Sequence, residues 1–260
     1  MRSLYTATTG MAAQTLNMDV IANNLANVST SGFKKSRADF QDLLYQIMKV
    51  PGSPTSADTT SPTGIQVGLG VKTGAVTKVF TEGDIVQTEN KLDVAIEGTG
   101  FFQVTLPDGN TAYTRSGNFK LDSTGKITTS DGFPIQPQIT IPADATEVTI
   151  SQTGVVSAIV GSSTASTQLG TLEIASFINN AGLIAIGRNL FRETDASGTA
   201  TLATPGSNGI GTLLQGYVEN SNVNLVEEMT QMITAQRAFE INSKVITTAD
   251  QMMQTTNQLK

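Results

Sequence analysis

Two runs with a seven-residue apolar repeat, one at each end of the chain, constrain the fold more than any other feature. Near the start, Leu4, Met11, Met18 and Leu25 recur every seven residues, with Ala7, Gln14, Ile21 and Val28 as a second row three residues on. Near the end, Leu225, Met232, Phe239, Ile246 and Met253 recur at the same interval, beside a companion row of Met229, Gln236, Ser243 and Asp250. A heptad spacing keeps one stripe of a helix facing a partner along its whole length. The spacing predicts two terminal helices that pair with each other and bracket a middle of different character.

The first helix is expected over residues 3–27, about 38 Å long at 1.5 Å per residue. It ends in the polar and glycine run Asn27, Ser29, Thr30, Ser31 and Gly32. Its stripe is thin, so its order depends on packing. The C-terminal segment, residues 220–259, opens on the cap candidates Ser221 and Asn222, with Glu227 and Glu228 where negative charge suits the helix dipole and Lys260 at the far end. A second apolar row, Ala238, Ile241, Val245, Met252 and Leu259, lets this helix face two neighbours.

Residues 33–48 carry a helix-like stripe at Phe40, Leu43, Leu44 and Ile47, closed by Pro51 and Gly52. Residues 50–70 are rich in Pro, Gly, Ser and Thr, which reads either as a tether or as a loop that orders against neighbouring subunits. From residue 71 to about 218 the pattern has period two. Strands are expected at residues 74–80, 93–97, 101–106, 111–115, 118–122, 146–151 and 172–177, with turn residues between them such as Pro107-Asp108-Gly109-Asn110 and Ser123-Thr124-Gly125. The fold class is therefore α+β: terminal helices pairing as a coiled-coil-like inner domain, and an irregular antiparallel all-β middle domain. The expected division is 1–32 with 220–260, a connecting segment 33–75 with a helix-like start, and a β-rich domain 76–219.

Composition removes several functions. Cysteine and histidine are both absent, which excludes disulfides, thiolate chemistry and the usual general base and metal ligand. A net charge of −6 with 16 scattered Lys and Arg argues against a nucleic-acid surface. Nothing approaches the roughly 20 apolar residues that span a bilayer, and Asn17, Asp19, Asn23 and Asn24 interrupt any signal-peptide core.

The glycine pieces Gly68-Leu69-Gly70 and Gly98-Thr99-Gly100 open no helix and precede no P-loop lysine, so they read as backbone bends. Asp93 with Glu97, and Glu227 with Glu228, lie on a strand face and at a helix start rather than in an acid–base pair. Asn27-Val28-Ser29 matches a glycosylation sequon at a helix end, where chance is the default reading. The Met stripes read as adaptable packing. No catalytic residue, metal or cofactor is expected, and assembly is the remaining signal.

The run Asn23-Asn24-Leu25-Ala26-Asn27-Val28-Ser29-Thr30-Ser31-Gly32-Phe33-Lys34 resembles the N-terminal signature of the bacterial flagellar rod and hook axial proteins. Asp93-Val94-Ala95-Ile96-Glu97-Gly98-Thr99-Gly100-Phe101-Phe102 resembles a second motif of that family, and Gly216-Tyr217-Val218-Glu219, Ser221-Asn222-Val223-Asn224 and Ala235-Gln236-Arg237-Ala238-Phe239-Glu240 its C-terminal one. Length, the run Asp42-Leu43-Leu44-Tyr45-Gln46 and the segment before Gly64-Ile65-Gln66-Val67-Gly68 resemble the rod members more than the hook protein. The resemblance implies a hollow helical homopolymer that transmits torque across the periplasm, made of subunits exported through the flagellar type III apparatus without a cleaved signal. It implies proximal rod, hook and the peptidoglycan and outer-membrane ring proteins as neighbours, with no nucleic acid and no membrane insertion. Proximal rod or hook subunits, and a non-flagellar β-rich binding module with helical arms, are the alternatives.

Limited proteolysis of the dilute monomer is expected to trim both terminal segments before it cuts the β middle; full protection of the ends would contradict a marginal stripe.

Overall fold

The computed structural model describes residues 2–52, 54–56, 59–161, 165–207 and 209–258. Leu259 and Lys260, the ends of the expected second row and of the expected charge pattern, lie outside the described residues. The chain divides into two compact units: residues 1–25, 36–77 and 224–260 in one, and residues 26–35 and 78–223 in the other.

The first unit holds the two long helices. Helix α1 spans Arg2–Ala26 and contains no proline. Its threonines return their hydroxyls to carbonyls one turn back, as in Thr6 to Arg2 O and Thr15 to Met11 O, so they leave no polar group bare. Helix α2 spans Leu225–Gln258, 34 residues, or about 51 Å. Its cap is Asn224, whose Oδ1 accepts from the Val226 and Glu227 amides at 3.1 and 3.3 Å. The expected cap residues do other work. Ser221 accepts from the Val223 amide, and Asn222 bridges the Lys35 amide and the Val79 carbonyl.

Residues 33–48 are not helical. Ser36–Asp42 pairs with Val71–Lys78, and Tyr45–Lys49 pairs antiparallel with Ile65–Gly68. A short apolar run does not distinguish strand from helix by periodicity, and pairing partners far along the chain decided it. Tyr45, Ile47 and the β-branched residues of 65–68 suit a pleated surface. Part of the expected loop 50–70 is thereby strand, including the short antiparallel pair Pro54–Ser56 and Thr59–Thr60.

The second unit is antiparallel and built from several small sheets. Its largest runs Ile184–Gly187, Leu190–Arg192, Thr111–Thr114, Phe101–Thr105, Ile174–Ser176, Thr201–Ala203 in spatial order, with Ile135–Gln136 also on Phe101–Thr105. A three-stranded meander, Ala145–Ile150, Val155–Val160 and Ser166–Thr171, stands apart from it. Two further pairs, Val94–Glu97 with Thr212–Gln215 and Ile85–Gln87 with Tyr217–Glu219, draw the end of the unit back to its start. The 107–110 turn closes its hairpin as its residues dictate, with Leu106 N to Asn110 O at 2.9 Å and Gly109 in the left-handed region at φ 76°.

Phe101 and Phe102 seed two cores, because successive side chains on a strand point to opposite faces. Phe102 packs with Val94, Ile96, Val104, Ile135, Ile174 and Leu213 and meets Phe119 edge-on at 4.9 Å. Phe101 joins Tyr113, Phe177, Leu183 and Phe191 on the other side, with Phe80 edge-on at 5.5 Å. Edge-to-face rings place the positive rim of one on the negative face of the next.

Burial, then the Glu193 carboxylate beside it, pushes the Tyr113 hydroxyl up from 10.0 to about 12. The folded state thus holds a proton that the unfolded chain releases first, so this contribution to stability is complete below pH 10 and is lost as pH rises toward 12. In an alkaline absorbance titration one of the four tyrosines is expected to ionise late. Tyr113→Phe should remove that late step and flatten the loss of stability; an unchanged titration would contradict the assignment.

Candidate assembly surface and buried charge cluster

The helices of the first unit pair antiparallel. Asn24 Nδ2 donates to Glu228 Oε2 at 3.1 Å, and Gly10 lies against the Asn242 side chain. Going back from Asn24 to Gly10 and forward from Glu228 to Asn242 are equal steps of fourteen residues, two heptads. At the far end Ser3 and Leu4 share a groove with Ala249, Met252 and Met253.

This register corrects the expected companion row on α2. Leu225, Met232, Phe239, Ile246 and Met253 alternate with Glu228, Ala235, Asn242 and Ala249, and not with Met229, Gln236, Ser243 and Asp250: Glu228, Ala235 and Ala249 are buried, whereas Met229, Gln236 and Asp250 are exposed. Small and polar residues sit innermost, so a search for large apolar side chains passed over them. Among the expected interface residues, Ile21 is buried; Leu4, Met11, Met18, Leu25, Val28, Met232, Phe239 and Ile246 are half-buried; Leu225, Met229 and Met253 are exposed. A separate apolar row on α2 lies open, with Ile241 63 % and Met252 59 % exposed.

Asn24 does more than meet α2. Its Oδ1 accepts from the Ser36 amide at 2.8 Å and its Nδ2 donates to the Ser36 carbonyl at 2.9 Å. One buried amide therefore clasps the two points where the chain leaves the first unit and returns to it. Asn23 is exposed, and Asn27 accepts from the Thr30 hydroxyl and amide.

The residues between those points belong to the second unit and end in its most demanding feature. Lys34 and Glu219, each 1 % exposed, form an ion pair at 2.5 Å, and Arg115 Nε reaches the other Glu219 oxygen at 2.6 Å. Glu219 also accepts from the Gly83 amide at 2.9 Å, and Lys34 donates to the Thr81 carbonyl. Three of the four remaining Arg115 donors go to the carbonyls of Ile96, Gly98 and Gly100 at 3.1, 2.6 and 2.7 Å. Buried charges persist only when paired and hydrogen-bonded: Lys34 and Arg115 are each paired with Glu219, and Glu219 accepts from both and from the Gly83 amide.

The three sequence motifs converge here. Lys34 closes the first; Gly98 and Gly100 carry the second, with φ of 102° and 142° that turn their carbonyls toward Arg115; Glu219 comes from the third. A Cβ on Gly100 would collide with Ile174, and one on Gly32 (φ 70°) would stand 2.6 Å from the Ser116 amide nitrogen. Gly32 N also donates to the Glu219 carbonyl at 2.7 Å, and Phe33 is buried under the Lys78 ammonium, 4.8 Å from its ring centre. Burial holds Lys34 below its ordinary value of 10.5, against the opposing pull of Glu219. As pH climbs toward 10.5 the folded chain has already released a proton that the unfolded chain keeps, so this group favours folding more with rising pH, leaving Arg115 to balance Glu219 one to one.

Sequence reasoning did not single out Lys34, Arg115, Glu219 or Asn242, and read Glu228 only as negative charge at a helix start. Lys34 and Glu219 stand inside quoted motifs, and their charge within otherwise apolar or polar-neutral runs was the available signal. Arg115 carries none. Within the cluster each charged group is engaged with another charge and with the backbone.

Three family models match the chain: "Flagella basal body rod protein" over residues 4–34, "Flagellar hook protein FlgE/F/G D1 domain" over 95–158, and "Flagellar basal body rod FlgEFG protein C-terminal" over 214–259. The flagellar basal-body rod protein FlgG of Buchnera aphidicola (subsp. Acyrthosiphon pisum) is 52 % identical over 99 % of this chain and 99 % of its own. That of Caulobacter vibrioides is 53 % identical over all of both chains. Among solved structures, the Helicobacter pylori flagellar hook protein FlgE2 aligns at TM-score 0.25 with 16 % identity, over 72 % of this chain and 43 % of its own.

Glu219→Gln strands two buried cations and is expected to lower stability by about 3–5 kcal/mol. Lys34→Met, which leaves Arg115 and Glu219 paired, is expected to cost distinctly less. Urea unfolding followed through the β signal reads both; equal losses would refute the unequal sharing of Glu219.

Proposed function

We propose a function from one premise: this chain belongs to the flagellar basal-body rod protein family. It is a structural subunit of the flagellar distal rod, a polymeric component of the basal body. Similarity at about half of all positions from one end of the chain to the other carries this reading.

The finer reading is a hollow helical drive shaft that passes torque from motor to hook, with a structural and not a catalytic role. Neighbouring subunits cover the open apolar row of α2 and the half-buried seam residues Leu4, Met11, Met18, Leu25, Val28, Met232, Phe239 and Ile246, together with Leu225, Met229 and Met253. What supports this is the exposure of Val226, Ile241 and Met252 in the single chain, 71, 63 and 59 %, which an isolated soluble helix gains nothing by displaying. The shaft spans the periplasm, meets proximal rod at one end and hook at the other, and turns within the peptidoglycan and outer-membrane rings. Its subunits leave the cell through the flagellar type III apparatus without a cleaved signal. A chain free of disulfides, with ends that gain most of their burial on assembly, suits passage in an unfolded state.

Electron microscopy of the concentrated protein is expected to show tubes, and the chain trimmed of residues 1–25 and 224–260 to form none while keeping its β circular-dichroism signature. Tubes from the trimmed chain would sink the assignment of the helices to assembly.

A further inference from the structure

Beside the charge cluster lies a small cavity walled by Phe80, the 98–101 backbone, Lys34, Arg115 and Asn180. It leaves about 10 Å³ for the centre of a water-sized sphere, which is roughly what one water needs. Asn180 begins the 3₁₀ turn Asn180–Gly182, and its Oδ1 is buried without a hydrogen-bond partner among the described residues. A bare amide oxygen in a protein interior is costly and calls for a donor.

Lys34 can supply one, through an intermediary. Its ammonium has three N–H donors, and among the described residues two are directed to the Thr81 carbonyl and to Glu219. Arg115 directs four of its five N–H donors to Glu219 and the three motif carbonyls, which leaves one on Nη1. The cavity thus presents an unspent donor and an unspent acceptor. A cation there would face the Lys34 ammonium and the Arg115 guanidinium, whereas an anion would face the Asn180 oxygen. A neutral molecule that both accepts and donates satisfies the site, and the volume admits only one the size of water.

We propose that the cavity is a binding site for a single structural water, which accepts from Lys34 Nζ and donates to Asn180 Oδ1. The water makes Asn180 the fourth side chain of the cluster. It ties the 180–182 turn, which no family motif covers, to the point where the three motifs meet.

A crystal structure of the full chain, with crystals soaked in bromide, tests this. The expected result is one peak within roughly 2.7–3.2 Å of both atoms, without anomalous signal. Asn180→Leu should lose the peak and lower the thermal midpoint of the β unit by roughly 2–4 °C, while Asn180→Asp, which retains the acceptor, should keep the peak. An empty cavity in the unsubstituted chain, or an Asn180 amide turned onto a protein donor, would overturn the proposal. So would a bromide signal, which identifies an anion site, or an Asn180→Leu protein unchanged in midpoint.

Discussion

The buried ion cluster of Lys34, Arg115 and Glu219 is the interaction on which the β unit depends. Each charge is removed from water, and the cost of that is recovered only with all partners in place, since a lone buried charge costs several kcal/mol. The three residues come from widely separated parts of the chain, so the unit is satisfied only when the end of the 26–35 excursion, the 111–115 hairpin and the 217–219 strand are assembled together. The conformations of Gly98 and Gly100 follow from the same requirement. Their carbonyls take two of the Arg115 donors, and the positive φ that aims those carbonyls is one that a side chain would resist.

The helical unit obeys a different economy. Apart from Ile21, the innermost positions of its helices are small or polar: Ala7, Ala13, Asn24, Glu228, Ala235 and Ala249. Small residues bring helices close but remove little apolar area from water. The larger side chains lie on the flanks, where an isolated pair leaves them half-wet. Each such Leu, Ile or Met contributes about 1.5–3 kcal/mol on full burial, so much of the stabilisation available to these helices is unrealised in the single chain.

The Asn24 amide shows how one side chain serves both requirements of the first unit. It meets the Glu228 carboxylate of α2 and at the same time closes the backbone at Ser36, so helix pairing and the base of the 26–35 excursion share a partner. Four covalent crossings join the two units, at 25–26, 35–36, 77–78 and 223–224.

Periodicity made the helices, the turn-punctuated strands and the α+β class legible, because heptad and dyad repeats are direct consequences of helix and strand geometry. The seam Leu4–Met11–Met18–Leu25 and the Gly98 to Phe102 strand entry were readable for that reason. The strands at 36–49 were not, since the three- and four-residue spacing of Phe40, Leu43 and Ile47 imitates a helical stripe in a run too short to settle the matter, and only its partners at 65–78 choose. The companion row of α2 was misplaced by one residue, because Glu228, Ala235 and Asn242 carry no hydrophobic signal of their own. The charge cluster was invisible as a cluster: that Lys34, Arg115 and Glu219 are buried together depends on long-range pairing, and a linear pattern records the charges without the distances between them. The residues by themselves determined the two terminal helices, the extended middle from about 71 to 218 and which family the chain resembles. The tertiary structure decided which charges lie inside and which apolar rows stay open, because burial is a property of what the rest of the chain places alongside.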